Sequence, residues 1–197
     1  MTLVDSSAGI AATLQAALAE VGVVAESGRI WPHIGVPLAT AIDDLAPHVD
    51  RDAVIARYRE LYPDIGIPPI TVLPGVLETL TLLRSEGHRV AVVSAKVERA
   101  VRAVLDAVGL DVDEIVGDLF AVAKGHWLLD NGARVYVGDH PGDMQAARTA
   151  GAVGVGVCTG PYASGDLERA GADVVLADLR AFPRWWAGQP GLGLGQA

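Results

Sequence analysis

The chain has 197 residues, 51% of them apolar and 20% charged; that is length for one domain with a small insertion, and an ordinary globular mix. Acidic residues outnumber basic ones 24 to 15, for a net charge of -9 with no Lys/Arg cluster, which argues against a nucleic-acid partner. The single cysteine, Cys158, excludes an internal disulfide or a cysteine-rich zinc site; with no apolar run of the ~18 residues a membrane span needs, and Asp5 and Ser6 interrupting the start, neither a membrane nor a signal peptide is expected, and the expected compartment is the cytoplasm.

Residues 6–22 read as an amphipathic helix, with Asp5 or Ser6 as its cap, apolar residues at Ile10, Leu14, Ala17, Leu18 and Val21, and Gly22 at its end. Residues 23–72 are cut by Pro32, Pro37, Pro47, Pro63, Pro68 and Pro69 and read as a small helical insertion, with helices at 38–46 and 51–61. From Pro74 the pattern becomes regular. A helix at 75–86 ends at Gly87, a buried strand follows at 89–94, and a second helix at 97–108 ends at Gly109. Strands are expected at 134–138, 153–157 and 173–176, with a helix at 142–150 between the first two. Alternating strands and helices with short connections predict an α/β fold, a doubly wound parallel sheet. Ligands in such sheets bind beyond the carboxyl ends of the strands. The Gly-rich tail 187–197 is expected to be disordered.

Three elements at strand ends carry chemistry. In Val135-Tyr-Val-Gly-Asp-His-Pro-Gly-Asp143 an apolar strand runs into Asp139, and a second carboxylate, Asp143, opens the next helix. Two carboxylates there suit Mg2+, a hard cation that prefers oxygen ligands; turn chemistry and a plain helix cap explain the same residues. In Val92-Val-Ser94 a hydroxyl ends a buried strand. With the backbone N–H groups that follow, from Ala95 onward, it can hold a phosphate, or it can merely cap the next helix. Lys124 lies between these strands; in the crevice it would neutralise phosphate oxygens and hold a carboxylate, whereas an isolated lysine is otherwise a solvated surface charge.

In order, strand-Ser, Lys and strand-Gly-Asp-x-x-x-Asp resemble motifs two, three and four of the haloacid dehalogenase superfamily, and are most similar to its phosphoglycolate-phosphatase-like branch. Thr2-Leu-Val-Asp-Ser6 resembles the end of that branch's Asp-x-Asp-Gly-Thr-Leu-Val-Asp-Ser signature. Gly35-Val-Pro-Leu38 resembles its cap segment, Leu73-Pro-Gly75 the start of its core, and Ala146-Ala-Arg-Thr-Ala-Gly151 the helix after motif four. The resemblance implies a Rossmann-like core at 1–22 and 73–186, with residues 23–72 as a helical cap that closes over the substrate. It also implies a Mg2+-dependent phosphatase of a small phosphorylated metabolite. In this family an aspartate attacks phosphorus to form an aspartyl-phosphate, and a second aspartate two residues on serves as acid and base. By the same resemblance Ser94 and Ala95 bind phosphate, Lys124 is the motif-three lysine, Asp139 is a metal ligand, and Asp143 supports the lysine and the metal shell.

The resemblance departs from the family pattern in two places. Aligned on Thr2-Leu3, the family's glycine falls at Met1, and both catalytic aspartates fall ahead of it with the central strand that bears them. The sheet is then expected to expose two hydrogen-bonding edges around a void. Turnover of the chain as given is then expected to be impaired, and three readings stay open: a start set too late, a catalytically inactive binding or regulatory protein on this scaffold, or a truncated fragment that folds poorly or pairs with another chain. A stable fragment needs a substitute strand, from a partner such as a second copy in a homodimer or from its own first residues. The second departure is at Lys124, followed by Gly125-His126-Trp127 where the family has a proline and a longer helix. The five histidines show no metal-ligand spacing; His140, inside the metal loop, is expected to be a solvent-facing turn residue. Trp185-Trp186 is expected to pack the end of the domain.

Overall fold

The computed structural model describes residues 1–189 and 191–192. Its first half is helical. Strand β1 (Val4–Asp5) leads into α1 (Ser7–Ala19), α2 (Ser27–Ile30), a 3-10 turn (Trp31–His33), α3 (Leu38–Leu45), α4 (Arg51–Leu61) and a π turn (Tyr62–Gly66). Strand β2 (Thr71–Val72) then returns antiparallel to β1, pairing Val4 with Val72 and Asp5 with Thr71. This short ladder ties the two ends of the helical segment together. Inside the segment, Leu14, Ala17 and Leu18 of α1 are buried with Ile30, Ile42, Val54 and Tyr58. Helix α1 packs chiefly on α4 and the π turn. Gly9 explains the tight approach, because a Cβ there would meet the Gly66 carbonyl oxygen at 2.0 Å.

The second half alternates helices and strands: α5 (Val76–Ser85), β3 (Ala91–Val93), α6 (Glu98–Val108), β4 (Glu114–Val116), α7 (Val122–Asp130), β5 (Val135–Gly138), α8 (Pro141–Ala150), β6 (Val153–Val157), α9 (Ser164–Arg169), β7 (Val174–Leu176) and α10 (Phe182–Ala187). Helix α6 buries Val101, Val104 and Leu105 and stops where Gly109 takes a left-handed φ of 68°, a conformation that glycine adopts without a Cβ penalty. All the sheet pairing in this half is parallel. Strand β3 pairs with β4, Val92 opposite Ile115, and β5–β6–β7 form a second set with Val137 opposite Val155 and Gly156 opposite Val175. Parallel strands with helical crossovers give the α/β class expected from the sequence. Trp186 is buried beside Phe182 and closes the end of the core, with its ring N–H on Glu86. The expected tail at 187–197 lies largely outside the described residues.

Among the described residues, no ladder joins the two parallel sets. Strands β3 and β5 each have one hydrogen-bonded neighbour, although Val92 and Val137 pack into the same apolar cluster. A cavity of about 1410 Å³, lined by residues 90–93 and 135–137, lies between them and continues to the helical segment. The Tyr136 hydroxyl spans from β5 to β3, donating to the Val93 carbonyl at 3.1 Å. No helix among the described residues is long and apolar enough to cross a membrane.

Candidate functional site

The carboxyl ends of β3 and β5 open into that cavity, and the residues singled out from the sequence collect there. Asp139 directly follows β5. Asp143 sits in the first turn of α8, and Lys124 in the first turn of α7. These three are 6%, 7% and 8% exposed, respectively, so each charge needs a partner nearby. Lys124 Nζ lies 2.7 Å from Asp143 Oδ1. The close packing of α7 on α8 sets that distance. A Cβ at Gly125 would meet Thr149 at 2.5 Å, so glycine is what lets the helices approach. The helical α7 also answers the missing proline after Lys124: the lysine is presented from a regular first turn without it.

Asp143 is fully engaged. Besides Lys124, its Oδ2 accepts from the His140 N–H at 3.2 Å, and the Tyr136 hydroxyl lies 3.4 Å from Oδ1. The residue that caps α8 is His140, whose Nδ1 accepts from the Gly142 N–H at 2.9 Å. An accepting Nδ1 puts the ring proton on Nε2 in the neutral form, and burial, the largest influence, pushes the His140 pKa below its usual value. The ring stands edge-on between Phe120 and Tyr162, 5.4 and 4.7 Å away. It is therefore a packed residue, not the solvent-facing turn residue expected. Burial first, then the Asp143 charge, raises the Tyr136 pKa well above normal, which keeps its hydroxyl a donor.

Asp139 carries the opposite arrangement: its carboxylate faces cations and donors. The Met1 ammonium is ion-paired with Asp139 Oδ1, and the Thr2 hydroxyl donates to the same oxygen at 3.2 Å. Behind it, a Cβ at Gly160 would fall 2.0 Å from Asp139 Oδ2. The 159–160 loop thus fixes the carboxylate from the far side, and Thr159 also donates to the Met1 carbonyl. Thr2, Tyr136 and Gly160 were not singled out from the sequence. Tyr136 was the most accessible of them, as the one polar group in an otherwise apolar strand.

Ser94 and Ala95 line the same cavity. Ser94 N–H donates to Val116 and its carbonyl accepts from Leu119, which extends the β3–β4 register past the strand end. Its hydroxyl does not cap α6, whose N-cap is Val97; it accepts from the Lys96 N–H at 3.1 Å in a tight turn. Ser94 makes no direct hydrogen bond to Lys124, Asp139 or Asp143 among the described residues. The link runs through Tyr136, which touches both Val93 and Asp143.

No group of three or more His, Cys, Asp or Glu side chains among the described residues could by itself hold a metal. The site therefore does not supply a full protein cage. It fits a cation of the Mg2+ type, which keeps several waters and takes one or two carboxylates together with phosphate oxygens. Asp139 would be the direct ligand, with Asp143 held one layer out by Lys124.

A family model described as haloacid dehalogenase-like hydrolase matches residues 35–148. The chain is 33% identical over 195 residues to a protein of Dickeya dadantii named "Probable phosphatase IndB", covering 89% of this chain and 85% of that one. It is also 33% identical over 207 residues to a plasmid-borne phosphoglycolate phosphatase of Cupriavidus necator, covering 92% and 87%. A haloacid dehalogenase-like hydrolase from Streptococcus pneumoniae shares the fold with a TM-score of 0.83 at 21% identity, over 94% of this chain and 93% of that one. A hydrolase from Pseudomonas syringae gives 0.78 at 26% identity, over 94% of each chain.

Proposed function

Because the chain belongs to the haloacid dehalogenase-like hydrolases, we propose that it is a Mg2+-dependent phosphatase site for a small phosphorylated metabolite in the cytoplasm. The observation that carries this reading is the buried Lys124–Asp143 pair, 2.7 Å apart, set beside Asp139 at the carboxyl end of β5. A lysine held in place by a carboxylate is suited to neutralise phosphate oxygens. The Ser94 hydroxyl and the Ala95 N–H would bind the remaining oxygens from the β3 side. Bound Mg2+ would add positive charge at Asp139, where phosphate oxygens complete its shell. The helical segment, tied down by the β1–β2 ladder, would act as the cap that covers the ligand. The names of the relatives support a phosphate ester as substrate, phosphoglycolate among the candidates.

The second reading is a non-catalytic phosphate-binding or regulatory protein, with a second copy in a homodimer covering the gap between β3 and β5. Hydrolysis of p-nitrophenyl phosphate separates the two. Weak Mg2+-dependent turnover that disappears in Asp139→Asn supports the phosphatase. Phosphate binding without turnover supports the second reading, and absence of both removes the phosphate site altogether.

A further inference from the structure

A second positive charge stands in the same cavity, apart from the Lys124–Asp143 pair. Lys96 lies in the loop between β3 and α6, two residues after Ser94. Its N–H donates to Ser94 Oγ at 3.1 Å, and its carbonyl accepts from the Asp118 N–H at 2.9 Å. Those bonds fix the backbone and send the side chain across to the helical segment, where Nζ lies 5.1 Å from the centre of the Tyr62 ring. Among the described residues no carboxylate pairs with this ammonium. Burial alone lowers its pKa from 10.5 to about 8.

The Tyr62 hydroxyl is unsatisfied. It is sealed from water and has no hydrogen-bond partner, and burial raises its pKa to about 12, so it remains an O–H donor. The ring is held in place, stacked on Tyr58 at 5.5 Å and set so close to Gly66 that a Cβ there would meet it at 2.3 Å. Buried donors without partners are rare in folded proteins because each costs about 1–3 kcal/mol. Here an ammonium from one half of the molecule lies over the ring of a tyrosine from the other, and both residues line the cavity. A ring face alone is a weak partner for a desolvated ammonium; negatively charged oxygen is the group that would satisfy it.

We propose that Lys96, held over the Tyr62 ring, forms a second anion site beside the Ser94–Lys124 phosphate site, so that the protein selects phosphorylated ligands bearing a further anionic group. The shared chemistry is charged oxygen, on a carboxylate or on a second phosphate. This proposal rests on the phosphate-site reading above and adds to it the residue that discriminates among phosphate esters.

Calorimetric titration in the presence of Mg2+ tests it with three non-hydrolysable ligands: ethylphosphonate, phosphonoacetate and methylenediphosphonate. The wild-type protein is expected to bind at least one of the two-anion ligands tenfold or more tighter than ethylphosphonate. The larger of the two preferences identifies the second group. In Lys96→Met the preference is expected to fall to less than about threefold, and in Lys96→Arg, which keeps the charge, to be largely retained. Equal affinity of the wild type for all three ligands overturns the second site while leaving the phosphate site intact. Failure of ethylphosphonate and both two-anion ligands to bind overturns the phosphate-site reading, and the second site with it. A preference that persists in Lys96→Met overturns the assignment to Lys96.

Discussion

Replacing Lys124 by Met removes the cation that holds Asp143 and leaves a buried carboxylate facing an apolar side chain. Breaking a buried ion pair by removing one partner costs about 3–5 kcal/mol, most of it from the stranded charge. Asp143 keeps its bond from the His140 N–H and the nearby Tyr136 hydroxyl, so the lower end, about 3 kcal/mol, is expected for Lys124→Met. Removing the second charge as well, in Lys124→Met/Asp143→Leu, should recover most of that loss, because a well-packed apolar replacement of a buried pair is often neutral or stabilising. Urea denaturation followed by tryptophan fluorescence measures both, with Trp127 on the same helix as Lys124 as a reporter. The two single variants and the double variant close a mutant cycle whose coupling is the pair itself. A loss below about 0.5 kcal/mol in Lys124→Met would refute the claim that this pair is desolvated and structurally committed.

Other consequences are accessible to simple assays. Lys96 has a folded pKa of about 8 against 10.5, so between those values the unfolded chain binds more protons than the folded one. Stability should therefore rise with pH across that window, by on the order of 2–3 kcal/mol, and the rise should be absent in Lys96→Met; identical pH profiles would contradict the burial of this amine. Gly160→Ala places a methyl group in the space of the Asp139 carboxylate, and calorimetry should show at least a tenfold loss of Mg2+-dependent phosphate affinity. Unchanged affinity would mean that Asp139 is not held from that side. In hydrogen exchange, β6 has neighbours on both sides while β3 and β5 each have one. The β6 amides should exchange last, and equal protection of β3 and β5 would show that their facing edges are covered.

The regular second half of the chain was legible because its helices end at glycines and its strands are unbroken apolar runs. Strand β6 (Val153–Val157) has the bounds expected, and α6 and α8 start within a residue of theirs. Strand β4 escaped because its three residues, Glu114-Ile-Val116, begin on a charged side chain and are too short to show a period. Helix α7 escaped because Gly125 weakens its helical propensity, although that glycine is what lets α7 approach α8 and bring Lys124 to Asp143. Periodicity shows which face of a helix is apolar, and it does not show which partner covers that face. The site residues were legible through their position at strand ends. The donors around them were not, since Thr2, Tyr136 and Gly160 act through tertiary proximity that no local spacing encodes.

Calorimetric titration of inorganic phosphate in the presence of Mg2+ tests most directly whether the crevice at the ends of β3 and β5 is a phosphate site. Saturable one-site binding is predicted for the wild-type chain, weakened at least tenfold by Ser94→Ala and by Asp139→Asn. Absence of binding by the wild type, or binding indifferent to both substitutions, would contradict the account.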